Sequence, residues 1–323
     1  MKKIGVFTSG GDSPGMNACV RAVVRTAVYH GLEVYGIMRG YNGMIKGEII
    51  KLESSSVSNI IQRGGTILKS ARSKEFITPE GRKKAHEQLQ KFGIEGLVAI
   101  GGDGTFTGAN IFYEEVGIPT IGAPGTIDND LFGTDYTIGY DTAVNTAIDA
   151  IDKIRDTADS HERVFFVEVM GRDSGYIAIP CAVGGGAEIV MIPETKTSIK
   201  NVVETLRTGY DRSKTSFIVI VAEGDEEGSA VEIAAKVQKE LPRMDARVTI
   251  LGHVQRGGAP SAADRMLASQ LGIACVEGLM AGRKCEMAGI VNGELVYTPF
   301  IDTIKKVKAI NPNYARMIDI LSV

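Results

Sequence analysis

No two cysteines in this chain stand at metal-ligand or redox spacing. Cys19, Cys181, Cys275 and Cys285 are scattered, with no CxxC among them. That argues against a zinc or disulfide framework and predicts reduced, packed thiols in a cytosolic protein. Apolar runs long enough to span a bilayer are missing, so no membrane partner is expected. The opening MKKIGVFTSGG enters a glycine loop too early for a signal peptide. Basic charge is not in excess either. A formal net charge of −3 speaks against a nucleic-acid binder, so any phosphate site has to come from local arginine and glycine placement. Both common nucleotide fingerprints are absent: there is no GxxxxGK[ST], and Gly102, Gly104 and Gly108 have the wrong spacing for GxGxxG. A Walker-type ATPase and a dinucleotide dehydrogenase lose weight accordingly. Solenoid repeats and low-complexity linkers are also lacking.

What is present is glycine at strand ends. The stretch Leu97–Asp130, LVAIGGDGTFTGANIFYEEVGIPTIGAPGTIDND, reads as strand, glycine turn, helix, strand and second glycine turn. Glycine lets bare backbone N–H groups approach a ligand, and a following helix points its positive end at phosphate. A third such turn, Ser9–Gly15, follows a strand over Lys3–Thr8 and opens a helix to about Tyr29. One turn of this kind is most often a plain βα connection, and carboxylates in loops are usually turn formers. Three turns in series, carrying Asp103, Asp128 and Asp130, suggest metal-assisted phosphoryl transfer instead.

Strands are expected at 34–37, 49–52, 119–123, 164–169, 188–192, 217–222 and 248–251. Helices are expected at 80–92, 199–210, 231–241 and 262–280, and over Thr142–Asp156 with Asp141 as its cap. Asn292-Gly293 marks a hairpin. The alternation predicts an α/β fold of two doubly wound, mostly parallel-sheet (Rossmann-like) domains with the active site in the cleft between them. Arg72, Arg163, Arg172, Arg247, Arg256 and His253 fall near predicted strand ends, where guanidinium forks suit phosphate. Arg21 and Arg25 share a helix face and read either as a solvated surface or as an anion site.

The motifs TSGGDSPGMNA, RGGT, GGDGT, PGTIDND, MGRDSG, VAEG and GHVQRGG, in this order, closely resemble the bacterial ATP-dependent 6-phosphofructokinases. The resemblance covers essentially the whole chain. It implies a larger ATP-binding domain over 1–139 and 255–305, and a smaller sugar-phosphate domain over 140–254 and 306–323. Gly11, Arg72, Ser73, Gly102, Asp103, Gly104 and Thr105 would hold the ATP phosphates, with Asp103 on Mg²⁺ directly or through water. Asp128 would be the base for the sugar 1-hydroxyl, Thr126 would position that group, and Arg172 would stabilise the transferring phosphoryl. Ile127, Met170, Gly171 and Glu223 would bind the sugar. His253, Val254, Gln255 and Arg256 would take the 6-phosphate end, helped by Arg163 and Arg247 of a neighbouring subunit in a homotetramer.

The implied activity is cytoplasmic and glycolytic: ATP and fructose 6-phosphate give ADP and fructose 1,6-bisphosphate. An NAD or lipid kinase with a GGDG turn would have no use for GHVQRGG and MGRDSG, and a nucleotide sensor would not need the intact Asp128 set. The alternative is a pyrophosphate-dependent relative, which typically carries Asp where this chain has Gly104 and Lys where it has Gly125. The resemblance also implies an effector pocket for ADP or phosphoenolpyruvate, formed by Arg21, Arg25, Arg155, Gly186, Ala187, Glu188, Arg212, Lys214, Thr215 and Ser216. Ser54 and Asn59 stand there in place of charged residues, which predicts weak effector binding.

Overall fold

A computed structural model describes residues 1–321. Ser322 and Val323, at the end of the expected smaller domain, lie outside the described residues. In chain order the elements are β1 (Lys3–Thr8), α1 (Met16–Tyr29), β2 (Glu33–Ile37), α2 (Gly40–Lys46), β3 (Ile49–Leu52), α3 (Pro79–Phe92), β4 (Gly96–Gly101), α4 (Asp103–Val116) and β5 (Thr120–Pro124). There follow α5 (Tyr140–His161), β6 (Val164–Val169), α6 (Ala178–Gly185), β7 (Ile189–Met191), α7 (Ile199–Asp211), β8 (Phe217–Ala222), α8 (Ala230–Glu240) and β9 (Ala246–Ile250). The chain closes with α9 (Ala262–Met280), β10 (Glu286–Val291), β11 (Glu294–Pro299), α10 (Phe300–Lys305) and α11 (Pro312–Leu321).

These elements form two compact units. The first comprises Met1–Ile127, Leu131–Thr142 and Arg256–Lys308. Its sheet runs β11-β10-β5-β4-β1-β2-β3, parallel from β10 to β2, with antiparallel β11 and β3 at the edges. Successive strand residues face opposite ways. Val98 and Ile100 of β4 therefore pack with Val20, Val23 and Leu271 from α1 and α9. Leu97 and Ala99 pack with Tyr41, Leu89 and Phe112 from α2, α3 and α4. Both faces are covered, so β4 reads as a continuous apolar run. At the β10–β11 hairpin, Asn292 (φ 52°) and Gly293 (φ 83°) take the two left-handed positions that such a turn requires.

The second unit comprises Asp128–Asp130, Ala143–Gln255 and the chain from Ala309 onward. Its sheet, β7-β8-β6-β9, is parallel throughout. Val164 and Phe166 of β6, with Val219 and Val221 of β8, pack on Leu206 of α7 and Val237 of α8. No described helix is long and apolar enough to cross a membrane.

One expected detail is corrected. Asp141 does not cap the long helix, because α5 already begins at Tyr140. The amides of Gly139 and Thr142 instead donate to Asp264 of α9, each at 2.8 Å. Thr142 Oγ1 donates to the same carboxylate, while Asp141 accepts from Ser261 Oγ. Burial pushes the Asp264 carboxyl above its usual range.

Candidate active site

In an open α/β sheet a ligand crevice forms where the connections leave neighbouring strands in opposite directions. In the first unit that point lies between β1 and β4, since β2 flanks β1 on one side and β5 flanks β4 on the other. The turns after these strands are tied together. Ser9 N donates to Ile100 O (3.0 Å), and Gly125 N, after β5, donates to Gly101 O (3.0 Å). Gly11, Gly102–Thr105 and Thr126 therefore share one edge. Thr126 is buried, and its carbonyl accepts from Thr137 Oγ1 (2.7 Å). Asp103 and Gly104 are exposed in the first turn of α4, whose N-cap residue Gly102 supplies no side-chain cap. Arg72 is exposed and Ser73 half-buried, Ser73 Oγ accepting from Phe76 N (3.2 Å). The Arg256 guanidinium lies against Gly11, where a Cβ would stand 2.7 Å from Nη1, and Nη1 donates to Asp12 O (3.3 Å).

The two discriminating glycines differ in kind. A Cβ on Gly104 would meet nothing within 4 Å, so nothing in this chain requires glycine there. A Cβ on Gly125 would stand 2.9 Å from Ile100 Cγ2, 3.1 Å from Met16 Cε and 3.3 Å from Gly101 N. Packing alone explains Gly125, and open space surrounds Gly104.

In the second unit the connections from neighbouring β6 and β8 leave in opposite directions, β6 toward β7 and β8 toward β9. Met170, Gly171 and Arg172 follow β6, Glu223 follows β8, and His253–Gln255 follow β9. Glu223 Oε1 accepts from Arg172 N (2.8 Å) and Gly171 N (3.4 Å), which holds the turn by its backbone. Gln255 is fully buried, and its Oε1 accepts from Met170 N (2.8 Å). Its side chain thus shapes the turn from behind. Arg172 takes φ 52°, a strained value for a non-glycine residue of a kind that clusters at functional sites. That conformation aims its guanidinium at Asp128, with Nε 3.0 Å from Oδ2. Asp128 is fully buried, while the Arg172 side chain is 49% exposed. His253 and Val254 are exposed, and Ile127 is fully buried.

Arg163 and Arg247 do not join this cluster within the unit. They stand at the starts of β6 and β9, at the opposite edge of the sheet. Six residues of strand at about 3.3 Å each put that edge roughly 20 Å from Val169. There Arg163 Nε pairs with Asp245 Oδ2 (2.7 Å) and Arg247 Nη2 with Asp245 Oδ1 (3.0 Å). The hydrogen bond from Arg163, with Arg247 beside it, holds the Asp245 carboxyl below its usual range. Sequence reading missed Asp245. Its signal was a carboxylate two residues before Arg247, just ahead of β9.

The expected effector residues divide between the units. Arg21 and Arg25 lie on α1; partial burial and then Arg25 lower the Arg21 pKa. In the second unit, Arg155 donates to the Gly185 and Gly186 carbonyls, and buried Ala187 follows. Glu188 is buried, paired to Lys214 (2.6 Å) and accepting from Ile218 N (2.6 Å). Arg212 and Thr215 are exposed, and Ser216 Oγ donates to Asp159 (3.4 Å). Asn59 adopts φ 54°, a conformation asparagine tolerates better than most residues. Ser54 begins a short 3₁₀ turn capped by Glu53 and Ser56.

Fold and site define a doubly wound α/β protein, with glycine turns at the carboxyl edges of parallel strands in its first unit and a carboxylate–guanidinium pair in its second. Residues 3–279 match the family described as Phosphofructokinase. The chain belongs to the phosphofructokinase family. It is 66% identical over 311 residues to an ATP-dependent 6-phosphofructokinase of Cytophaga hutchinsonii, covering 96% of this chain and 95% of that one. With ATP-dependent 6-phosphofructokinase 1 of Thermus thermophilus it shares 58% over 322 residues, all of both chains. Among solved structures, Saccharomyces cerevisiae phosphofructokinase superposes with a TM-score of 0.88 at 35% identity. That match covers 100% of this chain, which spans 47% of the yeast chain. A pyrophosphate-dependent phosphofructokinase from Marinobacter aquaeolei shares the fold, with a TM-score of 0.84 at 24% identity over 97% of this chain and 86% of that one. The fold alone therefore does not choose the phosphoryl donor.

Proposed function

We propose that the protein transfers the γ-phosphoryl group of ATP to the 1-hydroxyl of D-fructose 6-phosphate, giving fructose 1,6-bisphosphate and ADP. The observation that carries this reading is the buried Asp128 carboxylate held against Arg172, at the end of a turn that Glu223 fixes by its backbone. Asp128 takes the proton of the 1-hydroxyl and Thr126 positions that group. Arg172 engages Asp128 through Nε, and its Nη edge is left to meet charge developing on the transferred group. A loose phosphoryl-transfer transition state asks mainly for such placed positive charge.

Gly11, Arg72, Ser73 and the Gly102–Thr105 turn receive the ATP phosphates. The exposed Asp103 at the start of α4 suits Mg²⁺, which is usually held by one or two carboxylates together with phosphate oxygens and waters. That ion would neutralise charge on the phosphates. The open space at Gly104 favours ATP over pyrophosphate, because an aspartate there would crowd and repel the α-phosphate. Ile127, Met170, Gly171 and Glu223 take the sugar; His253, Val254, Gln255 and Arg256 form the 6-phosphate end.

Arg163 and Arg247 sit at the far edge of their own sheet, which supports their service to a neighbouring subunit's site in a homotetramer. An effector pocket built on Arg21, Arg25, Arg155, Gly186–Glu188, Arg212 and Lys214–Ser216 would bind ADP or phosphoenolpyruvate weakly, in a cytoplasmic enzyme. The test is an aldolase-coupled assay of fructose 1,6-bisphosphate formation with each donor in turn. ATP should support turnover and pyrophosphate should not. The reverse result would overturn the donor assignment, and no product from either would overturn the activity.

A further inference from the structure

Two arginines of like charge, one half-buried and one exposed, ordinarily splay apart into water. Here they do not. Strand register sets Val164 opposite Ala246 and Phe165 opposite Arg247, which brings the residues just before β6 and β9 together. Val164 N donates to Asp245 O (3.2 Å), and Phe217 N donates to Arg163 O (3.1 Å), so the backbone under both side chains is fixed. The Asp245 carboxylate then bridges the pair, Oδ2 to Arg163 Nε at 2.7 Å and Oδ1 to Arg247 Nη2 at 3.0 Å. Arg163 hydrogen-bonds the carboxylate through Nε alone. Arg247 is spent at Nη2. Two positive charges and one negative leave a net single positive charge, carried by guanidinium N–H donors that suit phosphate oxygens.

We propose that Asp245 is a positioning residue that holds Arg163 and Arg247 side by side as one preorganised receptor for the 6-phosphate. This rests on the assignment of those two arginines to the sugar phosphate. Asp245 itself touches no substrate. It orders two rotamer-rich side chains before the substrate arrives, so that binding does not have to order them. Its negative charge also opposes the incoming dianion. The two effects have opposite signs, which lets experiment separate them. Both pairs are partly exposed, so solvent screens the repulsive term, whereas the ordering cost falls on each arginine in full.

The test is a set of fructose 6-phosphate saturation curves on the full oligomer. Asp245→Ala should raise half-saturation about tenfold, the cost of ordering two such side chains on binding, with kcat at saturation within about twofold of wild type. Asp245→Asn keeps an acceptor in place and should raise it much less, roughly two- to threefold at most. In an Arg163→Ala/Arg247→Ala background, Asp245→Ala should change nothing further, because there is nothing left to position. A general structural role would instead lower kcat and melting temperature and would persist in that background. Should Asp245→Ala not fold, Asp245→Ser gives the same comparison. Unchanged or lowered half-saturation in a folded Asp245→Ala protein overturns the positioning role, the lowered value showing that the carboxylate acts as a competitor. If Arg163→Ala and Arg247→Ala themselves leave half-saturation at the wild-type value, it is the phosphate assignment that fails.

Discussion

Replacing Asp128 by asparagine tests the chemistry with little disturbance to the fold. The side chain is fully buried and its Oδ2 stands 3.0 Å from Arg172 Nε. The amide has nearly the same volume, so packing is conserved. The asparagine Oδ1 can still accept from Arg172 Nε, and the half-exposed Arg172 can otherwise turn to water, so the fold should survive the change. Catalysis should respond on another scale. Loss of a general base typically costs ~10²–10⁴-fold, or about 2.7–5.4 kcal/mol of barrier at 1.36 kcal/mol per tenfold. The expected result in the aldolase-coupled assay is a kcat at least a hundredfold lower. Equilibrium binding of fructose 6-phosphate should stay within about threefold, and the melting temperature within a few degrees. A folded Asp128→Asn protein with kcat within tenfold of wild type would refute the assignment of the base.

Three further outcomes are expected. Gly104→Asp should fold and melt normally, since its Cβ meets nothing within 4 Å and an acidic residue suits the first turn of α4; kcat/KM for ATP should fall at least tenfold, as steady-state kinetics will show. Arg163→Ala and Asp128→Asn subunits, each nearly inactive alone at low fructose 6-phosphate, should regain activity when mixed; demonstrably mixed tetramers without recovery would end the shared-site reading. Burial pushes the Cys19 and Cys181 thiols up to about 12 and half-buried Cys285 to about 11, with Cys275 also well above its ordinary value. Because a raised pKa means less thiolate at any lower pH, the native protein at pH 8 should show only slow labelling at Cys285 by a thiol reagent, with all four reacting on unfolding.

Much of the fold was legible because local signals and tertiary demands agreed. The spans expected for β8 and α9 coincide with Phe217–Ala222 and Ala262–Met280. An unbroken apolar run under two helical layers has one good solution, and so does a long helix opened by Ser261 and Asp264. Helix α2 was not legible, because Gly40 and Gly43 are poor helix formers and the residue before them, Arg39, takes a left-handed turn. Burial of Tyr41, Met44 and Ile45 makes it form. The same limit hid the cap of α5, whose acceptor lies 122 residues away on α9. Within the candidate site the glycine turns and charged loops announced themselves. Asp245 did not, since its meaning depends on which strand lies beside β9.

The Asp264 clamp has a consequence for how the chain is made. Thr142 leaves the ribosome long before Asp264, and synthesis at ~5–20 residues per second puts about 6–24 s between them. Through that interval the amides of Gly139 and Thr142 lack their native acceptor, and β5 lacks β10, its partner at Glu286 and Met287. The stretch 143–255, by contrast, emerges without interruption and carries all of β6 to β9. The later-made sheet therefore has all its strands before the earlier-made one, which waits for β10 and β11. A nascent chain stalled with Gln255 just clear of the ribosome and Asp264 still inside it should protect β6 and β8 from protease while β1 and β4 are still cut.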